Sequence, residues 1–516
     1  MKSAFSLLLM LLCSILLKAQ HPNVTITTSN NPNEPSIMID SKNTDHVMAG
    51  TNIWFFHSST DGGLTWENGE INSVLGVWGD PCIISDTLGN FYYFHLSNTP
   101  GGEWIDRIVC QRTGDMGLTW SSGSGIGWVP GKQQDKEWAV VNPYNNEIYA
   151  TWTQFDEYGS TNPTDSSVIK FSRSSDLGET WSEAIRLSKV AGDCIDSDYT
   201  TEGAVPTVGP GGQIYVSWSG PAGIVFDRSL DGGNTWLEND IFVNEHAGGW
   251  DQYIPGIFRC NGMPVIDCDR SNGPYRGTIY INYSDQLNGP DDTDIWLVKS
   301  TDGGITWSAP VRVNDDAPGK QQFFPWMTVD QATGKIWIVF YDRRNHPDLA
   351  TDVFMAVSED GGETFTNFKV SEQAFIPEEN YFFGDYNNIS AFNDVVRPIW
   401  TSLHNGFMSV KTAIIDPLVI SVSDPAIPYA ETQVAPNPFK TTTGFSFKLR
   451  KPANVSLSVR DITGKEIITL IDDKRLPAGK YSKILEVEGY SLKPGMYYFM
   501  LSIDNVITTR KVIYTP

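Results

Sequence analysis

Seven times along the chain a short apolar run, a polar turn and a second apolar run follow one another. The copies start at Pro35 (PSIMIDSKNTDHVMAGT), Pro81 (PCIISDTLGNFYYFHLS), Trp138 (WAVVNPYNNEIYATWTQ), Ala204 (AVPTVGPGGQIYVSWSG), Pro264 (PVIDCDRSNGPYRGTIYINYSD), Pro325 (PWMTVDQATGKIWIVFYDR) and Ile389 (ISAFNDVVRPIWTSLHNG). Runs rich in Val, Ile, Tyr and Trp, bounded by Asn, Asp, Gly and Pro, predict β-hairpins. Recurrence at a long, nearly constant spacing predicts one supersecondary unit used again and again.

An octapeptide of form [ST]-x-D-x-G-x-T-[WF] follows the first six hairpins. It occupies Ser59–Trp66, Thr113–Trp120, Ser174–Trp181, Ser229–Trp236, Ser300–Trp307 and Ser358–Phe365, with its carboxylate at Asp61, Asp115, Asp176, Asp231, Asp302 and Asp360. A carboxylate two residues ahead of Gly reads as a tight corner, because the side chain caps free N–H groups and Gly accepts a positive φ. The closing Thr-Trp starts a strand whose ring can pack on a neighbouring unit. Six identical corners, one per repeat, are read as structural staples rather than as metal or catalytic sites. These residues resemble the Asp-box, or bacterial neuraminidase repeat, of sialidases and of many non-sialidase propellers. The resemblance implies a β-propeller with the boxes on its outer edge, away from the ligand-binding face.

Seven hairpins with six boxes predict seven four-stranded blades over residues 21–415, six blades being the alternative. The last copy has Phe407 to Ile415 as a third strand and lacks a fourth, whereas Val24 to Ser29 (VTITTS) is a strand without a blade. The N-terminal strand is therefore expected to complete the last blade and remove the open edges.

Residues 416–433 contain Pro417, Pro425 and Pro428 and read as a linker. Beyond it, residues 434–516 hold alternating strands at 443–449, 455–461, 466–471, 480–487, 495–503 and 506–514, which predict a small β-sandwich. The stretches APNPF, SVRDITGKEI, LPAGKY, LKPGMYYFML and RKVIYTP are similar to the type A C-terminal sorting domain of the type IX secretion system of Bacteroidetes. That resemblance implies interaction with the secretion machinery, delivery to the surface or the medium, and removal of the sorting domain. Residues 1–20 combine Lys2, an apolar run from Ala4 to Leu17 and a small residue at Ala19, which predicts a cleaved secretory signal.

Composition then narrows the chemistry. With 61 acidic against 37 basic side chains the net charge is −24, which disfavours nucleic acid and anionic membrane surfaces. The expected product is a secreted monomer. After loss of Cys13 five cysteines remain; Cys260 with Cys268 is the most plausible local disulfide, and Cys82 with Cys110 a second candidate. No H-E-x-x-H, C-x-x-C, G-x-S-x-G or phosphate-cradling loop occurs. No cofactor is required on this reading. Asp267 and Asp269 before Asn272-Gly273, and Asp291, Asp292 and Asp294, are oxygen-rich turns and candidate Ca²⁺ ligands, although neither spacing completes a calcium loop.

Near the starts of the predicted inner strands stand Glu34, Asp80, Glu137, Glu202 and Asp385, with Lys136 among them. An acidic mouth of this kind suits a cation, an amine or a hydroxyl-rich glycan. The sialidase resemblance implies three converging arginines on the substrate carboxylate, a Tyr assisted by a Glu as nucleophile, and an Asp as acid or base. Here the place of the first family arginine reads Asn33-Glu34-Pro35, so a carboxylate replaces a cation. Arg343, Arg344 and Arg397 are the arginines expected near the mouth; Glu202, Tyr386 and Asp342 are the catalytic candidates. The leading expectation is a secreted or cell-surface propeller that binds extracellular glycan or protein. The alternative is a sialidase-like exo-glycoside hydrolase.

Overall fold

The computed structural model describes residues 21–416, 430–449, 451–461, 465–487, 489–490, 492–503 and 506–515, and among these there is no helix. The signal reading of residues 1–20 lies outside the described residues. The chain divides into two compact units, Met1–Val419 and Ile420–Pro516.

The described part of the first unit forms seven four-stranded antiparallel sheets. The first comprises Ser36–Ile39, Val47–Thr51, Phe55–Ser59 and Glu67–Glu70 in sequence order. The next five repeat that order. Their innermost strands are Cys82–Ser85, Gln133–Val141, Glu202–Val208, Val265–Cys268 and Gln322–Val329. The last sheet takes Asn388–Phe392, Val395–His404 and Phe407–Ala413 from the C-terminal side and its outer strand, Asn23–Thr27, from the N-terminal side. Asn23 faces Ala413 and Thr25 faces Lys411 in that pairing. The innermost strands of all seven sheets line one channel of about 440 Å³. The second and third strands are almost wholly buried, as in Ile214–Gly220 and Asp352–Ser358, so rows of Val, Ile and aromatic residues seal neighbouring sheets together.

Each box is a closed local circuit. In the first, Asp61 Oδ1 accepts from Ser59 Oγ at 2.8 Å and Thr65 N at 2.9 Å, Asp61 Oδ2 accepts from Thr65 Oγ1 at 2.6 Å, and Ser59 Oγ accepts from Gly63 N at 2.8 Å. The same Asp-to-Thr bonds recur at Asp115, Asp176, Asp231, Asp302 and Asp360. The six carboxylates thus serve their own turns. The box rings fasten sheet to sheet: Trp120 packs edge-on against Phe56 of the preceding sheet at 5.2 Å, and Trp307 against Phe226 at 5.2 Å. A cation reinforces several seams by reaching the following box. Arg173 and Arg228 donate to the carbonyls of Gly232 and Gly303, and Lys299 Nζ donates to Gly361 O at 2.8 Å. Asp360→Ala removes the acceptor of four hydrogen bonds in an exposed turn and should lower stability by about 1–2 kcal/mol without changing ligand binding. A thermal melt beside a ligand titration checks this.

The second unit contains a three-stranded sheet, Ala430–Ala435, Thr442–Leu449 and Gly479–Glu486, and a four-stranded sheet ordered Glu466–Leu476, Ala453–Asp461, Gly495–Ile503, Val506–Tyr514. Strict alternation in GFSFKL and MYYFMLSI puts Phe445, Phe447, Phe499 and Leu501 into one core. The strand Ala430–Ala435 begins inside the stretch read as linker, so that reading is too long at its C-terminal end; residues 417–429 lie outside the described residues.

Two cysteine expectations fail. Cys82, Cys110, Cys194, Cys260 and Cys268 are all free and buried, so neither Cys260–Cys268 nor Cys82–Cys110 is a disulfide. Burial among apolar side chains pushes the Cys268 thiol up to about 12, which suppresses the reactive thiolate.

Candidate functional site

The innermost strands begin in an unusual backbone conformation. Glu34, Asp80, Lys136 and Phe324 have φ between 48° and 55°, and Gly203 has φ 73°, at matching positions in five sheets. At three of them the strand also carries a β-bulge, between Asp135 and Trp138, Glu202 and Val205, and Phe323 and Trp326. A left-handed residue or a bulge re-aims the side chains beside it, and such strain gathers at functional sites.

The result is a buried charged floor centred on Lys136. Its Nζ lies 2.9 Å from Asp80 Oδ2, 2.7 Å from Asp385 Oδ2 and 3.9 Å from Asp135 Oδ1. Arg259, from the stretch between the fourth and fifth sheets, grips Asp385 through Nε at 2.8 Å and through Nη2, and reaches Asp196 Oδ2 at 3.3 Å. Tyr158 donates to the same Asp196 oxygen at 2.6 Å. Burial alone would lower the Lys136 pKa, but Asp135, Asp385, Asp80 and Glu34 together hold it well above the usual range. Burial likewise opposes ionisation of Asp385, yet Arg259 and Lys136 outweigh it and keep this acid below the usual carboxylate range. Burial pushes Asp135 up to about 7, with Lys136 opposing and Asp80 assisting. Glu34, Glu137 and Glu202 are likewise raised well above the usual carboxylate range, each chiefly by burial and then by a neighbouring Asp.

Above this floor opens a cleft of about 500 Å³. Trp78, Trp104, Tyr158 and Phe382 supply its aromatic walls, with Glu34, Asp80, Asp135 and Lys136 beneath. Trp78 and Trp104 meet edge to face at 6.1 Å, both about two-fifths exposed, and Trp104 meets Tyr158 at 5.9 Å. Below the floor Trp138 and Trp326 lie 4.2 Å apart, and both also line the channel. The cleft, rather than the channel, is the candidate site, because it joins half-exposed rings to buried charges.

Glu34, Asp80, Glu137 and Asp385 are thus buried around one floor, as the census of strand starts anticipates, but Asp80 and Asp385 are closed against Lys136 and Arg259, so the four do not form an open acidic ring. Glu202 is fully buried next to Asp196 and Asp135. Tyr386 carries an unpartnered buried hydroxyl whose charged neighbours are Asp80, Glu34 and Lys136. The Tyr386–Glu202 pair is therefore not hydrogen-bonded.

The arginines do not converge either. Arg397 donates to the carbonyls of Gly62, Val396 and Ile415 and pairs with Asp416 at 2.9 Å, so it is the seam cation between the last and first sheets. Arg344 is held by Asp342 at 2.7 Å and by Asp315, and lies over the Phe354 ring. Asp342, pushed up to about 6 by burial against the pull of Arg344, serves that pair. Arg343 donates to Thr351 Oγ1 at 3.1 Å, lies 5.2 Å over Phe323, and is lowered to about 10 by burial.

Four of the five Asp side chains in the oxygen-rich turns accept hydrogen bonds from the protein. Asp267 accepts from Thr207 Oγ1 and Val329 N, Asp269 from Ser271 N, Asp292 from Gly319 N, and Asp294 from Arg312 and Asn314. Among the described residues no group of three or more His, Cys, Asp or Glu side chains is placed to hold a metal ion.

Sequence reasoning missed Asp135, Asp196, Arg259 and the four rings. Two signals were present: the D-K-E run ahead of Trp138, and Trp78 and Trp104 standing alone in Gly-rich loops.

Comparison with known proteins gives two family matches. Residues 433–515 match the secretion system C-terminal sorting domain, and residues 298–309 match the BNR/Asp-box repeat. No curated protein matches the chain. Among solved structures it is similar to the Hadza microbial sialidase Hz136, at 13% identity over 73% of this chain and 74% of that one, TM-score 0.41. It is similar to a PL25 ulvan lyase bound to -[GlcA(1-4)Rha3S]-, at 13% identity over 77% and 96%, TM-score 0.47. It is also similar to a protein of unknown function from Dyadobacter fermentans DSM 18053, at 11% identity over 76% and 97%, TM-score 0.44. Residues 298–309 are thus a BNR/Asp-box repeat and residues 433–515 a secretion system C-terminal sorting domain, which implies export through the type IX secretion system.

Proposed function

We propose that the first unit is a seven-bladed Asp-box propeller that binds an extracellular glycan at the cleft between Trp78, Trp104 and Phe382. The observation that carries this reading is the pair of half-exposed tryptophans standing over buried carboxylates. Aromatic faces gain contact with the C–H faces of a sugar ring, while Asn30, Asn31, Asn33 and Asn52 on the same lining offer donors and acceptors for hydroxyls. An exported, strongly acidic chain meets such ligands outside the cell. Trp104→Ala should weaken glycan binding about tenfold or more, as loss of a buried aromatic anchor does, while leaving the melt within a few degrees of the parent. A glycan array followed by titration calorimetry checks this; undiminished binding by the variant would move the site elsewhere.

A second reading, a sialidase-like hydrolase, draws on the buried carboxyls Glu34, Glu137 and Glu202, which hold protons more tightly than ordinary acids. The dispersal of Arg343, Arg344 and Arg397 counts against an anionic sugar. Release of a fluorescent aglycone from a sialoside by the purified protein would favour the hydrolase.

A further inference from the structure

The cleft contains one acidic group whose bonding is incomplete. Glu34 is 1% exposed and lines the cleft; its Oε2 accepts from Asn52 Nδ2, while its Oε1 is buried without a partner. A buried carboxylate oxygen left unpaired costs free energy that a ligand donor can recover. The nearby cations cannot supply that donor. Lys136 is engaged by Asp80 and Asp385, and Arg259 by Asp385 and Asp196.

Acidic side chains also outnumber basic ones around the floor. Seven acids, Glu34, Asp80, Asp135, Glu137, Asp196, Glu202 and Asp385, surround the two cations Lys136 and Arg259. An anionic ligand would have no free guanidinium or ammonium to meet. A cationic one would find a carboxylate below it and tryptophan faces beside it, where cation–π attraction adds to the contact.

We propose that the ligand of this cleft is a glycan carrying a free ammonium group, an amino sugar that is not N-acetylated, with the ammonium seated on Glu34 Oε1. This rests on the reading of the cleft as a glycan site and specifies which glycan. The rings and the asparagine amides favour a sugar over a lysine-bearing peptide, which would use the carboxylate and leave the amides idle.

A proton balance accompanies binding. The groups facing Glu34 are Asp80 ahead of the second inner strand, Asp385 and Tyr386 ahead of the seventh, Lys136 of the third, Arg259 between the fourth and fifth sheets, and Asn52. Burial and then the Asp80 and Asp385 charges raise Glu34 above the usual carboxylate range, with Lys136 and Arg259 opposing, so a proton is held on Glu34 more tightly than on an ordinary acid. An arriving ammonium stabilises the carboxylate, so the Glu34 proton leaves to the buffer as the –NH₃⁺···⁻OOC contact forms. Because the complex binds fewer protons at this group than the free protein, affinity rises with pH until the ligand ammonium itself titrates.

The test is calorimetry on the exported chain with three probes: a glucosamine oligomer, the N-acetylglucosamine oligomer of equal length, and a lysine-rich peptide. The glucosamine oligomer should bind about tenfold or more tighter than its acetylated counterpart, the scale of one charge-assisted hydrogen bond. Its affinity should be greater at about pH 6 than at about pH 5, where the amine of the probe is still charged, with proton release read from buffers of different ionisation enthalpy. Glu34→Gln should abolish the preference and the proton release, while Trp104→Ala weakens both sugars together. Equal binding of the two sugars, or a preference retained by Glu34→Gln, overturns the ammonium assignment and leaves the glycan site standing. Binding of the peptide alone overturns the amino sugar. If no probe binds, both the assignment and the glycan reading fail. The wild-type preference and its proton release decide the matter even if the Glu34 variant does not fold.

Discussion

Lys136→Met should lower the stability of the first unit by about 3–5 kcal/mol, the cost of removing one partner from a buried ion cluster. Methionine keeps much of the volume of the lysine stem, so the loss isolates the charge. The Nζ within 3 Å of both Asp80 and Asp385 disappears, and Arg259 alone remains on Asp385. The pH dependence has a definite sign. In the parent, Asp385 sits below the usual carboxylate range, so its contribution is present above the unfolded value near 4 and is lost as pH falls through the folded value. Without Lys136 that contribution is reduced, so the deficit of the variant should be full near neutrality and shrink as pH falls below about 4. Urea unfolding at several pH values measures it, as a lower midpoint at unchanged slope. A midpoint at neutral pH equal to the parent's would show that the cluster does not depend on the lysine charge.

Arg397→Ala should open the ring at one place. The side chain is 3% exposed and gives its donors to Gly62, Val396, Ile415 and Asp416, tying the last sheet and the residues after it to the first box. Truncation strands buried carbonyls, at about 1–3 kcal/mol for each group left unsatisfied. Amide exchange should speed up in Asn23–Thr27 and around Gly62, while the seam at Gly303, held by Arg228, keeps its protection. Arg397→Lys should rescue only partly, since one ammonium cannot reproduce a planar fork spread over several acceptors. Lost ligand binding with unchanged exchange at this seam would return Arg397 to the ligand role.

The contrast between the boxes and the arginines explains how far a linear reading reaches. Each box is complete within eight residues. The side chains of Ser59, Asp61 and Thr65 close the turn with one another and with Gly63 N, so the pattern of letters already specifies the corner. The same holds for the alternation in Thr442–Leu449, whose odd-numbered Phe445, Phe447 and Leu449 face one core. Arg397 is different. It stands in a hairpin expected at the mouth, but whether its guanidinium points to the mouth or to the next box depends on strand register. Arg343 and Arg344 are adjacent, yet one is held by Thr351 and the other by Asp342 and Asp315. The Cys260–Cys268 expectation failed for a related reason, since closeness along the chain says nothing about how the two side chains face across separate elements.

From the order of residues alone came the repeating hairpins, the staples between them, the strand that closes the last sheet and the sorting tail, all of which rest on patterns a few residues long. The floor under the cleft joins positions 34, 80, 136, 196, 259 and 385, which are far apart along the chain and meet only in the folded unit, three of them at strand starts with a left-handed backbone. No local pattern encodes that meeting. The charge balance over which a ligand must sit, and with it the kind of ligand, is a property of the folded ring.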